Sequence, residues 1–148
     1  MVTTLQQDIR TSLLKYNELI KFSYGRNLDN ALKSAQLEIN NYLVCLDPPS
    51  YTGGLIDFNE TATVALSWLK LDNADSEADE EMNESAIESM ETIVKDCHDN
   101  SIAWLKIFAE DFATKYTINA YTGLEAFRVK HLMTGFVLQF SISYRTLC

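Results

Sequence analysis

The sequence predicts an α+β domain: a mostly antiparallel sheet of about four to five strands, with an N-terminal helix and a central helical segment packed on one face. Three observations carry this expectation. Apolar residues recur at steps of three and four near the start and again past the middle, they alternate in twos between those blocks and at the end, and turn residues separate the blocks. With 148 residues, 47% of them apolar, the chain can bury one hydrophobic core, which argues for a single domain over residues 1–148.

Leu5, Ile9, Leu13, Tyr16, Leu19, Ile20 and Ser23 form one stripe of a helix over residues 3–23, with Thr4 as its N-cap and Gly25 as its stop. From 28 to 46 two readings stay open. Leu28, Leu32, Ala35, Ile39, Tyr42 and Leu46 fit a helix, whereas Leu37, Ile39, Asn41, Leu43 and Cys45 alternate as a buried strand does. The run Tyr42-Leu43-Val44-Cys45-Leu46, stopped by Pro48 and Pro49, reads as a strand, and Ser50-Tyr51-Thr52-Gly53-Gly54 as a turn. A long β segment follows over residues 57–71. Ala62, Val64, Leu66 and Trp68 face one way, and the mostly small Thr61, Thr63, Ala65, Ser67 and Leu69 the other.

Ser85-Ala86-Ile87-Glu88 has the form of a capping box, and Ala86, Ile87, Met90, Ile93, Val94 and Cys97 continue it as a helical stripe. The polar run His98-Asp99-Asn100-Ser101 then suggests a break, before a second stripe of Ile102, Leu105, Phe108, Ala109 and Phe112. Trp104, Phe108 and Phe112, spaced by four, read as helix core rather than as a stacking platform. Tyr116, Ile118 and Ala120 alternate as a strand up to a Thr122-Gly123 turn. The closing strand carries Phe136, Leu138, Phe140, Ile142 and Tyr144 on one face.

Charge is distributed unevenly. The net charge is -9, and residues 72–91 hold Asp72, Asp75, Glu77, Asp79, Glu80, Glu81, Glu84, Glu88 and Glu91 without one Lys or Arg. Such a block repels itself and stays solvated, as an acidic loop over about residues 72–84 leading into a helix whose N-terminal dipole it complements. The overall balance disfavours a phosphate-gripping surface, and Arg128, Lys130 and Arg145 are too sparse to make one. No apolar run is long enough for a spanning helix, so no membrane role is expected.

The chemistry-bearing residues form no readable catalytic set. Cys97 and His98 are adjacent, which in a helix turns them about 100° apart, and Cys97 belongs to the apolar stripe. His131 has only Glu125 as a nearby carboxylate, and Asp72, Asp75 and Asp79 fail the calcium-loop pattern, because the sixth and twelfth positions are Glu77 and Asn83. No zinc spacing or phosphate-binding glycine loop occurs, so neither enzymatic activity nor a cofactor is expected. Cys45, Cys97 and Cys148 are too scattered for a disulfide framework, which suits a reducing compartment. An N-terminus broken by Gln6, Gln7, Asp8 and Arg10 lacks the apolar stretch of a secretory signal, so the chain is expected to stay where it is made.

The order of elements resembles tail-terminator proteins of tailed phages, a family of head-to-tail joining proteins. The likeness runs through the N-terminal helix, the string Cys45-Leu46-Asp47-Pro48-Pro49-Ser50-Tyr51-Thr52-Gly53, the β segment through Thr63-Val64-Ala65-Leu66-Ser67-Trp68-Leu69, the acid-rich loop before a helix, and the closing strand from Gly135 to Tyr144. Ala126-Phe127, Thr134-Gly135-Phe136 and the terminal Leu147-Cys148 are also similar to structural proteins of phages with Bacteroides-type hosts.

The resemblance implies a non-enzymatic virion protein that forms a ring, typically six-fold, at the neck or tail-tube end. It would be made in the host cytoplasm and contact tail-tube or portal and connector proteins. In that setting Thr61, Thr63, Ala65 and Ser67 become the candidate subunit-contact strand, since a ring needs heterologous contacts between copies. Asp75, Glu77, Asp79, Glu80 and Glu81 become candidate channel-facing residues, whose carboxylates would let DNA pass without specific binding. The alternative is an acidic inhibitor that mimics DNA and binds a host DNA-binding protein. Confinement of the acid to one window argues against it, because a duplex mimic spreads charge along a face.

Overall fold

The computed structural model describes residues 2–25, 41–54, 59–71, 84–130 and 133–145. Its elements are α1 (Val2–Tyr16), β1 (Ile20–Tyr24), β2 (Tyr42–Leu46), β3 (Ser50–Gly53), β4 (Asn59–Leu71), α2 (Glu84–Asp111), β5 (Thr117–Lys130) and β6 (Met133–Arg145). The class is α+β, with a six-stranded sheet in the order β1-β2-β4-β6-β5 and β3 paired to β4 beside β2. β1 and β2 run parallel; every other pair is antiparallel.

The strand count exceeds the four to five expected, for local reasons. The first helix ends at Tyr16 rather than running to residue 23, because Asn17 turns the chain: its Oδ1 accepts from the Leu19 N–H at 2.9 Å and its carbonyl from the Ile20 N–H at 3.2 Å. Leu19, Ile20 and Ser23 therefore leave the helical stripe, and Ile20 enters the core from β1. Residues 50–53, expected as a turn, form β3. Pro48 and Pro49 interrupt the edge, while the Asp47 N–H still donates to the Ala65 carbonyl at 3.1 Å. Between the pairs Leu46↔Leu66 and Ser50↔Thr63 the β2–β3 side holds one residue more than β4, so the interruption is a bulge in a resumed ladder. Of the stretch from 28 to 46 with two open readings, residues 42–46 are strand β2 and not helix, and residues 28–40 lie outside the described residues.

α2 is one helix of 28 residues, not two in series. The polar run at 98–101 does not break it, because these side chains bond back onto the helix: Asn100 Nδ2 donates to the Asp96 carbonyl at 2.9 Å and Ser101 Oγ to the His98 carbonyl at 2.9 Å. Thr122-Gly123 is likewise no turn. β5 runs through it for 14 residues, and Gly123 is where the Phe136 ring lies against the backbone.

α1 turns Leu5, Ile9 and Leu13 onto the sheet, all fully buried. They meet the face formed by Tyr42, Val44 and Leu46 of β2, Ala62, Val64, Leu66 and Trp68 of β4, and Phe136, Leu138, Phe140 and Ile142 of β6. This is the inner face that the alternation in β4 and β6 predicts. α2 adds Cys97, Trp104, Leu105 and Phe108, and the Trp104 ring touches those of Trp68, Phe108 and Phe140 with centroids 6.4, 5.1 and 6.0 Å away. Each such side chain, fully removed from water, contributes about 1.5–3 kcal/mol. Asp8 fastens α1 to the turn after α2, accepting from Lys115 Nζ at 2.7 Å and from the Tyr116 hydroxyl at 2.6 Å. Among the described residues, no helix is long and apolar enough to cross a membrane.

Candidate functional site

The far side of the sheet carries the expected contact strand. Thr61, Thr63, Ala65 and Ser67 lie on the outer face of β4, opposite the helices, with Thr63 exposed and the other three half-buried. β4 is the middle strand, so these residues offer a face and not an edge. Their cross-strand partners Ser143, Ser141, Gln139 and Val137 extend a surface of small and polar side chains onto β6. Thr61 Oγ1 and Ser143 Oγ share a hydrogen bond at 3.5 Å, and Asn119 Nδ2 of β5 donates to Ser143 Oγ at 2.7 Å. A shallow hollow of about 240 Å³ opens between Thr63, Gln139 and Ser141, bordered by Tyr121 and Thr122. Toward the other end the same face turns apolar, where Leu43, Cys45, Leu69, Ala126 and Met133 form a second buried cluster.

A polar cluster that sequence reasoning missed ties the layers together on the inner side. The Asp96 carboxylate accepts from the Tyr42 hydroxyl at 2.6 Å, from Lys70 Nζ at 3.3 Å and from Asn100 Nδ2 at 3.1 Å, and the Tyr16 hydroxyl donates to Asn100 Oδ1 at 2.9 Å. Burial, then the bond to Asp96, holds the Tyr42 hydroxyl far above its ordinary range, so it stays a neutral donor. Lys70 also sits over the Tyr42 ring, 4.9 Å from its centroid. These bonds fasten α1, β2, β4 and α2 to one another.

No protein-family model matches the chain, and a search of the curated proteins returns no match.

The structure separates Cys97 from His98. Cys97 is fully buried in the main core, whereas His98 stands half-exposed, its ring edge-on to Phe136 at 4.9 Å and its Nδ1 2.9 Å from Asp99 Oδ1. Burial pushes the Cys97 thiol up to about 12, with the Asp96 charge adding and Lys70 opposing. Burial and then Asp47 push Cys45 up to about 11. Both thiols ordinarily titrate at 9.0, so above about pH 9 the unfolded chain loses protons that the folded chain keeps. Stability is therefore expected to fall as pH rises from about 9 toward 12, read as a declining urea midpoint. In a Cys148→Ser variant, a thiol reagent at pH 8 should label Cys45 and Cys97 only at the rate of opening; rapid native labelling would contradict the burial.

The channel-facing candidates Asp75, Glu77, Asp79, Glu80 and Glu81 lie outside the described residues, as do Asp72, His131 and Cys148. Among the described residues, no group of three or more His, Cys, Asp or Glu side chains is placed to hold a metal ion.

Proposed function

We propose that this chain is a structural protein of a tailed-phage particle, forming an oligomeric ring at the neck or tail-tube end through which DNA passes. The observation that carries this reading is the outer face of β4 and β6: mostly small or hydroxyl-bearing side chains, a hollow beside Thr63, and no described element packed over them. A surface of short side chains loses little rotamer entropy on contact and admits close approach by another copy. In a ring this face meets a different surface of the next copy, because a heterologous contact that closes generates cyclic symmetry. The acidic window follows the end of β4 at Leu71 and precedes α2 at Glu84, and in this reading its carboxylates rim the channel and repel passing phosphates. Adjacent tail-tube or connector proteins would dock on the two ends of the ring.

Thr63→Arg tests the contact face. Thr63 is exposed beside an open hollow, so the substitution leaves the fold intact while it fills the hollow and plants a charge in the interface. Light scattering is expected to show the wild-type protein as a multimer of fixed mass and the variant as a monomer with an unchanged circular dichroism spectrum. Equal masses for the two proteins would rule out this face as the subunit contact. The inhibitor reading predicts a different outcome: a monomer that captures host DNA-binding proteins in a salt-sensitive way.

A further inference from the structure

The β5 edge of the sheet carries a second surface, which adjoins the ring contact at Tyr121 and Thr122. β5 closes the sheet on that side, pairing with β6 alone, and its outward main-chain groups face no described strand. Edge strands are ordinarily blunted by charge, proline or bulges. Residues 117–124 contain no charged residue and no proline, and Tyr121 and Leu124 are 52% and 70% exposed. Register shifts fall between Ile118 and Tyr121 and between Ala126 and Lys130, so from Tyr121 to Ala126 the ladder is regular, and its outer side, which faces no described strand, can accept another strand.

A cavity lies directly beside this stretch. The pairs Tyr121↔Phe140, Gly123↔Leu138 and Glu125↔Phe136 place alternate β5 residues on the helix side of the sheet. There a cavity of about 380 Å³ opens between α2 and the β5–β6 pair, its floor formed by Val94 and the Phe136 ring. Gly123 raises no side chain between that ring and the strand edge. Around the mouth, the Asp99 carboxylate pairs with Lys95 Nζ at 2.8 Å and also lies beside His98 Nδ1, so the Lys95 and Asp99 charges are spent on one another. Glu91 and Glu125 also line the cavity and form no ion pair among the described residues.

We infer that β5 accepts an extended segment of a partner protein as an added strand, and that the cavity takes a lysine or arginine side chain from that segment. The apolar floor suits the methylene stem of such a residue and the two carboxylates suit its charged head. Main-chain pairing supplies the affinity, and the cavity supplies the choice of side chain. A head-to-tail copy of this chain is a poorer occupant. Its opposite edge, β1, turns Ile20, Phe22 and Tyr24 to the helix side and its only lysine, Lys21, to the outer side, in register with Leu43.

The test uses two short threonine–valine peptides that differ only by arginine or glutamine at the centre, titrated into isotope-labelled protein and followed by amide NMR. The arginine peptide is expected to shift the amides of residues 121–126, to protect those that point away from β6, and to bind about tenfold tighter than the glutamine peptide. The double variant Glu91→Gln, Glu125→Gln should abolish that difference while leaving the glutamine peptide's affinity unchanged. Three results would each overturn the inference: equal affinities for the two peptides, no shift at millimolar concentration, or protection in the protein alone of those amides among residues 121–126 that point away from β6.

Discussion

Gly135→Ala is expected to cost about 3 kcal/mol or more, enough to leave a marginal domain partly unfolded at room temperature. Gly135 pairs with Leu69 where β6 passes β4, and a Cβ built on it would overlap the Trp68 carbonyl oxygen and press on the Leu69 backbone. Backbone in the middle of a sheet cannot swing aside as a side chain can. Relief therefore requires the central strand pair to separate, together with the Trp68 and Phe136 side chains that it positions. Gly123→Ala provides the contrast. There the atoms nearest the added methyl group belong to the far end of the Phe136 ring, a side chain that can swing about its Cα–Cβ bond as backbone cannot, so the cost should be clearly smaller. Urea unfolding followed by tryptophan fluorescence measures both, and equal costs would show that the close approach of β6 to β4 is not what requires glycine at 135.

Trp104→Ala is expected to lower stability by about 3–5 kcal/mol. Trp104 is fully buried at the meeting point of α1, α2 and the sheet, stacked on Phe108 and in contact with Trp68 and Phe140. Its Nε1–H donates to Ser12 Oγ of α1 at 3.0 Å, a bond between buried groups. Truncation removes the packing and leaves the Ser12 hydroxyl without that donor, and the two losses add. Trp104→Phe separates them, keeping most of the ring contact while deleting the bond, for about 1 kcal/mol from the bond itself. A result in which phenylalanine costs as much as alanine would place the energy in the Ser12 bond and not in the aromatic cluster.

Much of this fold is legible because periodicity is a local signal. The alternation in Ala62, Val64, Leu66 and Trp68 and in Phe136, Leu138, Phe140 and Ile142 identifies the inner face of two central strands, and the spacing of Leu5, Ile9 and Leu13 identifies the face of α1. The same alternation marks Thr61, Thr63, Ala65 and Ser67 as outer. What was misread depends on how polar side chains are spent. Asn17 ends α1 early and Asn100 leaves α2 unbroken, yet both are residues found in turns; the difference is whether the side chain bonds forward to Leu19 or back to Asp96.

Glycine was ambiguous for a related reason. Gly123 looks like a turn but serves as a seat for an aromatic ring donated by the neighbouring strand. The Asp96 cluster was not legible at all, since Tyr42 lies 54 residues from Asp96, and Tyr16 lies 84 from Asn100. The outer edge and cavity at β5 follow from the order of the described strands, which is a long-range property. A signal was available in hindsight: residues 117–124 carry no charge in a chain of net charge -9.

The ring reading stands on assembly, and negative-stain microscopy of the purified protein, with native mass spectrometry on the same fractions, tests it most directly. Annular particles with a central hole and a single subunit number, lost in Thr63→Arg, are the expected result. A protein that remains monomeric at the highest concentration reached, with no annular particle in any field, would contradict it.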